Sequence, residues 1–439
     1  MSELNKDFLA RMKELLGGEY NDFCESLARP MEKAIYVNTR KISVDDFLHI
    51  VDFDCNKIPY EKAGFYVDDS KKGRHPLHHA GAFYIQEPSA MFTVNCFEFK
   101  GDEKVLDMCA SPGGKTIQIA NRVPNGIVVS NEFVKSRSEI LFSNIERMGL
   151  TNVIVTNDKP ENLAKAYANC FDVCLVDAPC SGEGMFRRGE QVSEQWNPGL
   201  IEMNSKRQLD ILEQANKALK TGGVLIYSTC TYSTEENEQV VKNFLSRHDY
   251  VVEEITTDDS WEISNGIGLE QAKRLYPHKV KGEGQFVAKL RKRETNDLIA
   301  VSSLKPKSNK LAEKFIFENL NKQLNIFEQN GNCFAVIDNN FLKKDINYVS
   351  FGVKIGVVVK DRFEPHHNLF TSFGNEISRE LNFDYHDKNV MKYLHGDVID
   401  CDMSNGYGVF KINNIPLGGF KISNGQFKNL YPKGLRNFN

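Results

Sequence analysis

The sequence lacks several features that would assign it to a class at once. It has no apolar run of the roughly 18–20 residues that a membrane-spanning helix needs, and its charged first residues contain no signal-peptide core. There is no Cys-x-x-Cys pair, and His78 and His79 have no cysteines near them, so we expect no zinc site. The ten cysteines follow no regular spacing, which predicts reduced thiols in a cytoplasmic protein that stays off membranes.

An excess of positive charge is also missing, because 55 basic residues face 59 acidic ones and the net charge is −4. The content of 41% hydrophobic and 26% charged residues is typical of a globular protein. Binding of a nucleic acid would therefore depend on local basic clusters. For any one cluster, the alternative is an ordinary solvated surface. Four clusters qualify: Arg187 with Arg188, Lys279 with Lys281, Arg291 with Lys292 and Arg293, and Lys428 with Lys433 and Arg436.

The length of 439 residues favours two or three domains. We expect an N-terminal cap region of helices and mixed structure over residues 1–100 and an α/β domain over 101–293. A polar linker at 294–310, a β-rich intermediate region at 311–390 and a β-rich C-terminal domain at 391–439 would follow. In the cap, Phe8, Met12 and Leu15 lie on one helical stripe that ends at the glycine pair after Leu16.

The α/β domain is predicted from short apolar strands that alternate with amphipathic stretches. One of these stretches, marked by Leu209, Leu212 and Leu219, predicts a helix that ends at Gly222 and Gly223. Repeated βα units with continuous apolar strands predict a Rossmann-like parallel sheet covered on both faces. Ligands of such sheets bind beyond the carboxyl ends of the strands. The five predicted strands are 105–107, 127–130, 153–156, 173–176 and 224–227.

A glycine loop, Asp107-Met-Cys-Ala-Ser-Pro-Gly-Gly-Lys-Thr116, follows the first of these strands and precedes a helix. It is neither G-x-G-x-x-G nor a P-loop, but glycines let the backbone approach a ligand and a helix N-terminus offers free amides. Acids follow the next strands. Glu132 is placed to accept hydrogen bonds from ribose hydroxyls, Asp158 from an adenine amino group, and Asp177 ends the fourth strand. One such acid is usually a cap or turn residue; three in succession indicate a nucleotide-like cofactor.

Cys180 and Cys230 each come just past a strand end, which predicts that both lie over the same edge of the sheet. The segment from Ser233 to Glu236 predicts a capping box, so a helix would start three residues after Cys230 and favour its thiolate. A single buried cysteine is most often just a small apolar residue. Two at paired strand ends above a glycine loop favour chemistry instead.

Two thiols and an acid suit methylation of cytosine at carbon 5. That carbon is too weak a nucleophile to attack a methyl donor unaided, and addition of a thiolate at carbon 6 activates it. The proton on carbon 5 must then leave before the thiol is eliminated, and a second polar group near that carbon would speed the release. An acid such as Asp177, three residues before Cys180, could hydrogen-bond the base edge.

The motifs Asp177-Ala-Pro-Cys-Ser-Gly182 and Ser228-Thr-Cys-Thr231 resemble the Nop/Sun family of RNA 5-methylcytosine methyltransferases. Within it, the bacterial 16S rRNA enzymes of the RsmF (YebU) type are the most similar. The resemblance covers almost the full length. Further segments that carry it are 17–20, 38–39, 81–90, 277–278, 284–286 and 429–436.

The resemblance implies a class I methyltransferase fold, S-adenosyl-L-methionine as cofactor, no metal, and a PUA-like RNA-binding domain at the C-terminus. It also implies Cys230 as the nucleophile, Cys180 as the residue that assists release and Lys115 near the target base. DNA cytosine methyltransferases use the cysteine of a Pro-Cys motif, here Cys180, so the Thr-Cys at 229–230 points to RNA. The implied cofactor contacts are Cys109, Ala110, Ser111, Pro112, Gly113, Gly114, Lys115, Glu132, Arg137, Asp158 and Asp177.

The expected partner is RNA, namely 16S rRNA or the small ribosomal subunit, bound by a monomer. Three alternatives stay open. The same reaction on tRNA is one, since a PUA-like tail would serve both substrates. A ribosome-assembly factor that kept the fold without catalysis is another, although both thiols and all three acids are present. A small-molecule or protein methyltransferase would leave Cys180 and the tail unexplained.

Overall fold

The computed structural model describes residues 4–68, 72–188, 196–305 and 307–436. These residues form one ten-stranded central sheet and three four-stranded sheets. Helices of the first hundred residues are Lys6–Leu16, Tyr20–Ala28, Val44–Ile50, Pro76–His79 and Pro88–Asn95. The central and C-terminal helices are Gly114–Arg122, Lys135–Met148, Pro160–Ala166, Pro198–Ala218, Glu238–Leu245, Lys310–Asn319, His367–Phe373 and Lys388–His395.

The central sheet has a parallel part flanked by antiparallel strands. Tyr250–Glu253 is a tenth strand that pairs with residues 289–292 of strand Gln285–Lys292, beyond the residues of that strand that pair with Leu269–Leu275. In spatial order the other strands are Ser264–Gly266, Leu269–Leu275, Gln285–Lys292, Leu219–Thr229, Phe171–Asp177, Lys104–Asp107, Ile127–Asn131, Val153–Thr156 and Tyr348–Ser350.

All five predicted strands are confirmed, and they form the parallel part. The chain runs outward from Lys104–Asp107 through the next two strands and then returns to place Phe171–Asp177 on the other side of the first strand. This reversal leaves a crevice at the carboxyl ends of Lys104–Asp107 and Phe171–Asp177, where ligands of open α/β sheets bind. The Rossmann-like fold class is therefore confirmed.

The predicted end of the helix before strand Leu219–Thr229 is wrong. The helix ends at Ala218 and the strand begins at the next residue, so Gly222 and Gly223 lie inside the strand. The register with the neighbouring strand shifts at this point. Phe171 pairs with Leu219 and Val173 with Val224, so a step of two residues in one strand faces a step of five in the other. The glycines accommodate that irregularity, with Gly222 at φ 77°, rather than stopping the helix.

The N-terminal region has a sheet of four antiparallel strands and rests on the central domain. Asn38 donates to the carbonyls of Gly81 and Met148, which ties the region to a central helix. Its first two helices pack Phe8 and Phe23 against Phe186, Trp196 and Tyr232. In spatial order its strands are Asn56–Lys57, Gly64–Val67, Lys33–Val37 and Phe83–Ile85.

The expected boundaries beyond residue 293 need two corrections. Strand Tyr348–Ser350 pairs with Val153–Thr156, so the intermediate region extends the central sheet. The boundary at residue 391 falls inside helix Lys388–His395, which links two parallel strands of the last sheet and belongs with it. The two C-terminal sheets are Ile326–Gln329, Asn332–Ala335, Val353–Val359 and Arg362–Pro365, then Glu380–Phe383, Gly406–Ile412, Ile415–Ser423 and Gln426–Asn429.

Candidate active site

A cleft of about 1080 Å³ opens at the crevice between the reversing strands. Its floor is the glycine loop and the strand ends, and one wall comes from the N-terminal region. Both cysteines border it. The described residues that line it include Met31, Tyr84, Gln86, Glu87, Asp107–Pro112, Gly114, Lys115, Glu132, Phe133, Arg137, Asp177–Cys180, Arg207, Cys230 and Glu283–Gln285.

The glycine loop brings backbone to the cleft as predicted. Gly113, at φ 113°, precedes the first turn of helix Gly114–Arg122. A Cβ at Gly114 would lie 3.0 Å from Cδ of Gln86, so only glycine fits this approach without displacing a neighbour. Of the eleven expected cofactor residues, nine line the cleft; Gly113 and Asp158 are not among the described residues that do so.

Asp107 offers an acceptor to a ligand in this cleft. Thr116 donates to its Oδ2 at 2.6 Å, whereas its buried Oδ1 has no partner among the described residues. Burial raises the pKa of Asp107 to about 7. A buried acceptor without a donor is costly, so this atom fits a cofactor that carries hydrogen-bond donors.

The expected acids differ in how much of each carboxylate is free. Glu132 accepts a hydrogen bond from the backbone of Val134 at 2.9 Å, and Arg137 lies 3.4 Å away at the mouth of the cleft. Asp158 accepts from Asn162 at 2.6 Å and from the backbone of Asn347 at 2.9 Å. A contact between Asp158 and adenine stays a prediction, and it would share a carboxylate that already accepts these bonds.

The two thiols meet, since the Sγ atoms of Cys180 and Cys230 are 3.3 Å apart. The hydrogen bond with Cys230 and burial raise the pKa of the Cys180 thiol well above its ordinary range. Beside them Lys115 Nζ donates to Asp177 Oδ2 at 2.8 Å, and Ser228 Oγ donates to Asp177 Oδ1 at 2.7 Å. The four expected catalytic residues thus occupy one edge of the cleft.

Asp177 keeps Lys115 charged. Burial alone would lower the pKa of Lys115, but the Asp177 carboxylate and the Cys230 sulfur outweigh it and the pKa is raised.

The predicted capping box is wrong. The helix after Cys230 begins at Glu238, and its N-cap Asn237 makes no side-chain cap. Glu236 instead bonds Ser181 in the loop of the other cysteine, and Gln208 donates to it at 2.9 Å. The sequence could not show this, because the local capping pattern competes with a partner 55 residues away.

Other residues at the site were not predicted from the sequence as site residues. Glu183 bonds the loop of Cys230. Gln285 donates to Asp177 at 3.3 Å. Glu87 caps helix Pro88–Asn95 and also accepts a hydrogen bond from the backbone of Glu283.

Several of the basic residues expected to bind RNA have structural partners. Arg187 forms a buried ion pair with Glu283 at 2.8 Å, and Lys292 donates to two buried carbonyls. Arg291 pairs with Glu253, and Lys279 pairs with Glu19 at 2.8 Å. Arg187 and Lys292 are therefore corrected from candidate RNA contacts to buried fold contacts, whereas Arg291 and Lys279 are partly exposed and stay candidates. The side chain of Arg188 lies outside the described residues.

The remaining basic residues are more open. Lys281, Arg293, Lys428 and Lys433 are exposed, and Arg436 is half-buried. Lys428 and Lys433 have no ion-pair partner within the described part of the chain. Candidate RNA contacts therefore include Lys281 and Arg293 of the central domain as well as Lys428 in the last strand and Lys433 just beyond it.

The fold and the cleft define the class of S-adenosylmethionine-dependent methyltransferases with a Rossmann-like sheet. Three family models match in order: the N-terminal domain of 16S rRNA methyltransferase RsmF over 4–88, 16S rRNA methyltransferase RsmB/F over 94–291, and the RsmF PUA domain over 380–437. The chain belongs to the RsmF group of this family. The third match begins at residue 380, where the last sheet begins.

Similar proteins support this assignment. Ribosomal RNA small subunit methyltransferase F of Vibrio parahaemolyticus is 36% identical over 72% of this chain and 69% of its own length. For the protein of that name from Erwinia tasmaniensis the identity is 37%, over 65% of this chain and 63% of that protein. A structure of NSun6 from Pyrococcus horikoshii with SFG has a TM-score of 0.60 at 26% identity, and the match covers 66% of this chain and 99% of that one.

Within the described residues, no helix is both long and apolar enough to span a bilayer. The same residues contain no cluster of histidine, cysteine and acidic side chains that could hold a metal ion.

Proposed function

We propose that this protein methylates carbon 5 of a cytosine in 16S rRNA, through a covalent bond between Cys230 and carbon 6 of the base. The observation that carries the proposal is the 3.3 Å separation of the two Sγ atoms at the edge of the cleft. One sulfur can attack the ring while the other reaches the neighbouring carbon. The names of the relatives support the rRNA substrate.

S-adenosylmethionine would lie over the glycine loop, with Asp107, Glu132 and Asp177 as acceptors, and would supply an electrophilic methyl group. The free acceptor on Asp107 and the close approach at Gly114 fit such a ligand. Glu132 is placed for the ribose hydroxyls. Lys115 and Asp177 would orient the base edge next to Cys230.

The proposed reaction begins with Cys230 as the thiolate and Cys180 as the thiol. The Cys230 thiolate forms a bond to carbon 6, and the electron pair of the 5,6 double bond moves into the ring and makes carbon 5 a nucleophile. Carbon 5 would take the methyl group of the bound cofactor as the sulfur–methyl bond of that cofactor breaks, which consumes the negative charge. Cys180 gives up its own proton to solvent and then accepts the carbon 5 proton. The electron pair of that carbon–hydrogen bond restores the double bond, the carbon–sulfur bond breaks, and Cys230 leaves as the thiolate.

The exposed lysines of the C-terminal sheet support RNA binding by the last sixty residues, and we infer that the protein acts as a cytoplasmic monomer. The test is methylation by the purified chain of 16S rRNA, of small ribosomal subunits and of tRNA, followed by bisulfite sequencing. A new 5-methylcytosine in 16S rRNA is expected. Modification of tRNA alone would show that tRNA, and not 16S rRNA, is the substrate. The absence of 5-methylcytosine from all three RNAs would refute the proposed reaction.

A further inference from the structure

Two buried carboxylates join the loops that carry the two thiols, and each loop supplies one of them. Glu183, from the loop of Cys180, accepts from Thr231 Oγ1 at 2.8 Å and from the backbone of Tyr232 at 2.9 Å. Glu236, from the loop of Cys230, accepts from the backbone of Ser181 at 2.9 Å and also bonds its hydroxyl. The exposed fractions of Glu183 and Glu236 are 3% and 0%.

These groups form one continuous chain of hydrogen bonds, because Ser181 Oγ lies 2.9 Å from Thr231 Oγ1. The order is Glu236, Ser181, Thr231, Glu183. Its three contacts need three protons, and the two hydroxyls supply only two. If both carboxylates were ionised, the Ser181 hydroxyl would donate to Glu236 and the Thr231 hydroxyl to Glu183. The contact between the two hydroxyls would then have no proton. A proton on one carboxylate completes the chain.

The surroundings place that proton on Glu236. Each oxygen of Glu183 accepts from an N–H group, Oε1 from Trp196 Nε1 at 3.1 Å and Oε2 from the backbone of Tyr232, so neither oxygen is free of a fixed donor. Glu236 takes both of its N–H donors, from Ser181 and Gln208, on Oε1, and among the described residues its Oε2 contacts just the Ser181 hydroxyl. Burial raises the pKa of Glu236 to about 7, against the opposing effect of its hydrogen bonds. Burial also raises the pKa of Glu183, but its three donors stabilise the carboxylate.

We propose that Glu183 and Glu236 are positioning residues that hold the two thiols in contact, and that Glu236 carries the proton of the chain. The backbone of Gly184 also donates to the carbonyl of Cys230 at 2.8 Å, so without the chain the segments 178–184 and 230–237 stay joined there but lose their side-chain link, and the Sγ atoms are held less tightly. The catalytic consequence rests on the proposed function, whereas the geometry of the thiols can be tested without RNA.

The proton assignment gives the two glutamates opposite responses to the same substitution. In Glu236→Gln the amide nitrogen can donate to Ser181 as the carboxylic acid does, so the chain survives. In Glu183→Gln the new NH2 group faces an N–H donor at either oxygen position, Trp196 Nε1 or the backbone of Tyr232, so one of these bonds is lost and the side chain is pushed from its place. Glu236→Ala removes the link altogether. Glu235→Gln is the matched control, since the neighbouring Glu235 is half-exposed and pairs with Arg11.

Phenylarsine oxide measures the thiol geometry directly. Its arsenic forms two As–S bonds with a close thiol pair, and the two thiol protons leave with its oxygen as water. Wild type, Glu236→Gln and Glu235→Gln are expected to form the bridge between Cys180 and Cys230, mapped by mass spectrometry. Glu236→Ala and Glu183→Gln should bind the reagent about 100-fold more weakly, because both sulfurs no longer engage together. Equal binding by all variants would overturn the positioning role.

Methylation kinetics test the consequence for catalysis. Glu236→Ala and Glu183→Gln should lose about 100-fold in kcat, the effect of misplacing a reacting group by an ångström, with little change in KM for the cofactor. Glu236→Gln should keep most of the activity; a loss equal to that of Glu236→Ala would refute the proton assignment. If Glu236→Ala does not fold, the two glutamine variants decide. If wild type itself forms no 5-methylcytosine, the proposed function fails, and the arsenical binding still decides the positioning role.

Discussion

At the scale of residues, the two cysteines have different surroundings that suit them to different steps. The pKa of Cys180 is raised well above its usual value by the hydrogen bond with Cys230 and by burial. Cys230 is the sulfur that interacts with the Lys115 ammonium. These surroundings support the proposed roles of Cys230 as the nucleophile and of Cys180 as the residue that assists release.

Substitution of each thiol should stop the reaction at a different point. Cys230→Ala should abolish methylation, because no thiolate can add to carbon 6. Cys180→Ala should still attack and methylate but release the product slowly, which leaves a protein–RNA adduct that survives denaturing electrophoresis. Cys55→Ala, a half-buried cysteine outside the cleft, is the control and should behave as wild type. An adduct in Cys230→Ala instead would reverse the two roles.

At the scale of elements, the glycine loop is shaped by what lies opposite it. Strand Lys104–Asp107 ends in the cleft and helix Gly114–Arg122 begins there, with Gln86 and Tyr84 of the N-terminal region packed over its first residue. The sequence predicted that glycines would allow close approach. It did not show that the approaching group includes the chain's own N-terminal region.

Gly114→Ala should weaken cofactor binding. The new methyl group would press on Gln86 at 3.0 Å and on the Tyr84 ring at 3.2 Å, and overpacking of this kind costs about 1–3 kcal/mol. Calorimetric titration with S-adenosylhomocysteine measures the change in Kd. Gly18→Ala is the control, because a Cβ there meets open space. An unchanged Kd for Gly114→Ala would show that the cofactor does not depend on this contact.

At the scale of the whole molecule, the C-terminal half is joined to the catalytic domain by strand pairing and by helix His367–Phe373, from which Asn368 bonds Glu146 of the central domain. The exposed Lys428 lies in the last strand and the exposed Lys433 just beyond it. RNA bound there would be held to the cleft through these contacts.

The double variant Lys428→Ala/Lys433→Ala should weaken RNA binding with no effect on cofactor binding. Loss of two phosphate contacts should also reduce the slope of log K against log salt by about 1 per contact. Fluorescence anisotropy with a labelled rRNA fragment at several salt concentrations measures both. Lys314→Ala is the control, an exposed lysine on helix Lys310–Asn319. Equal losses in the control would exclude a specific contact.

Acid should destabilise the junction of the N-terminal and C-terminal regions. Burial lowers the pKa of His78 and of His367 to about 3, whereas in the unfolded chain both titrate near 6.5. Between these values only the unfolded chain binds the proton, so the stability contributed by each neutral histidine is present above pH 6.5 and is lost as the pH falls. Each contributes a slope of about 1.4 kcal/mol per pH unit.

His367→Asn removes one of these titrations. Its free energy of unfolding, measured in urea from about pH 6 to pH 4, should therefore fall less steeply than that of wild type by about 1.4 kcal/mol per pH unit. The buried acids Asp107, Glu146 and Glu236 have raised pKa values, which change the stability in the opposite direction as the pH falls. Their contribution is the same in both proteins and cancels in the difference. Parallel curves would show that His367 is not neutral in the folded protein.

The sequence by itself determined the parallel strands, the glycine loop and the presence of two thiols at strand ends, because hydrophobic period and chain order are local properties. Tertiary structure decided what local patterns could not. Glu236 bonds Ser181 and does not form the predicted capping box, because a buried contact between loops outweighs a helix cap. Arg187 and Lys292 became fold contacts for the same reason. The 3.3 Å contact of the sulfurs depends on two loops fifty residues apart, and only their packing fixes it.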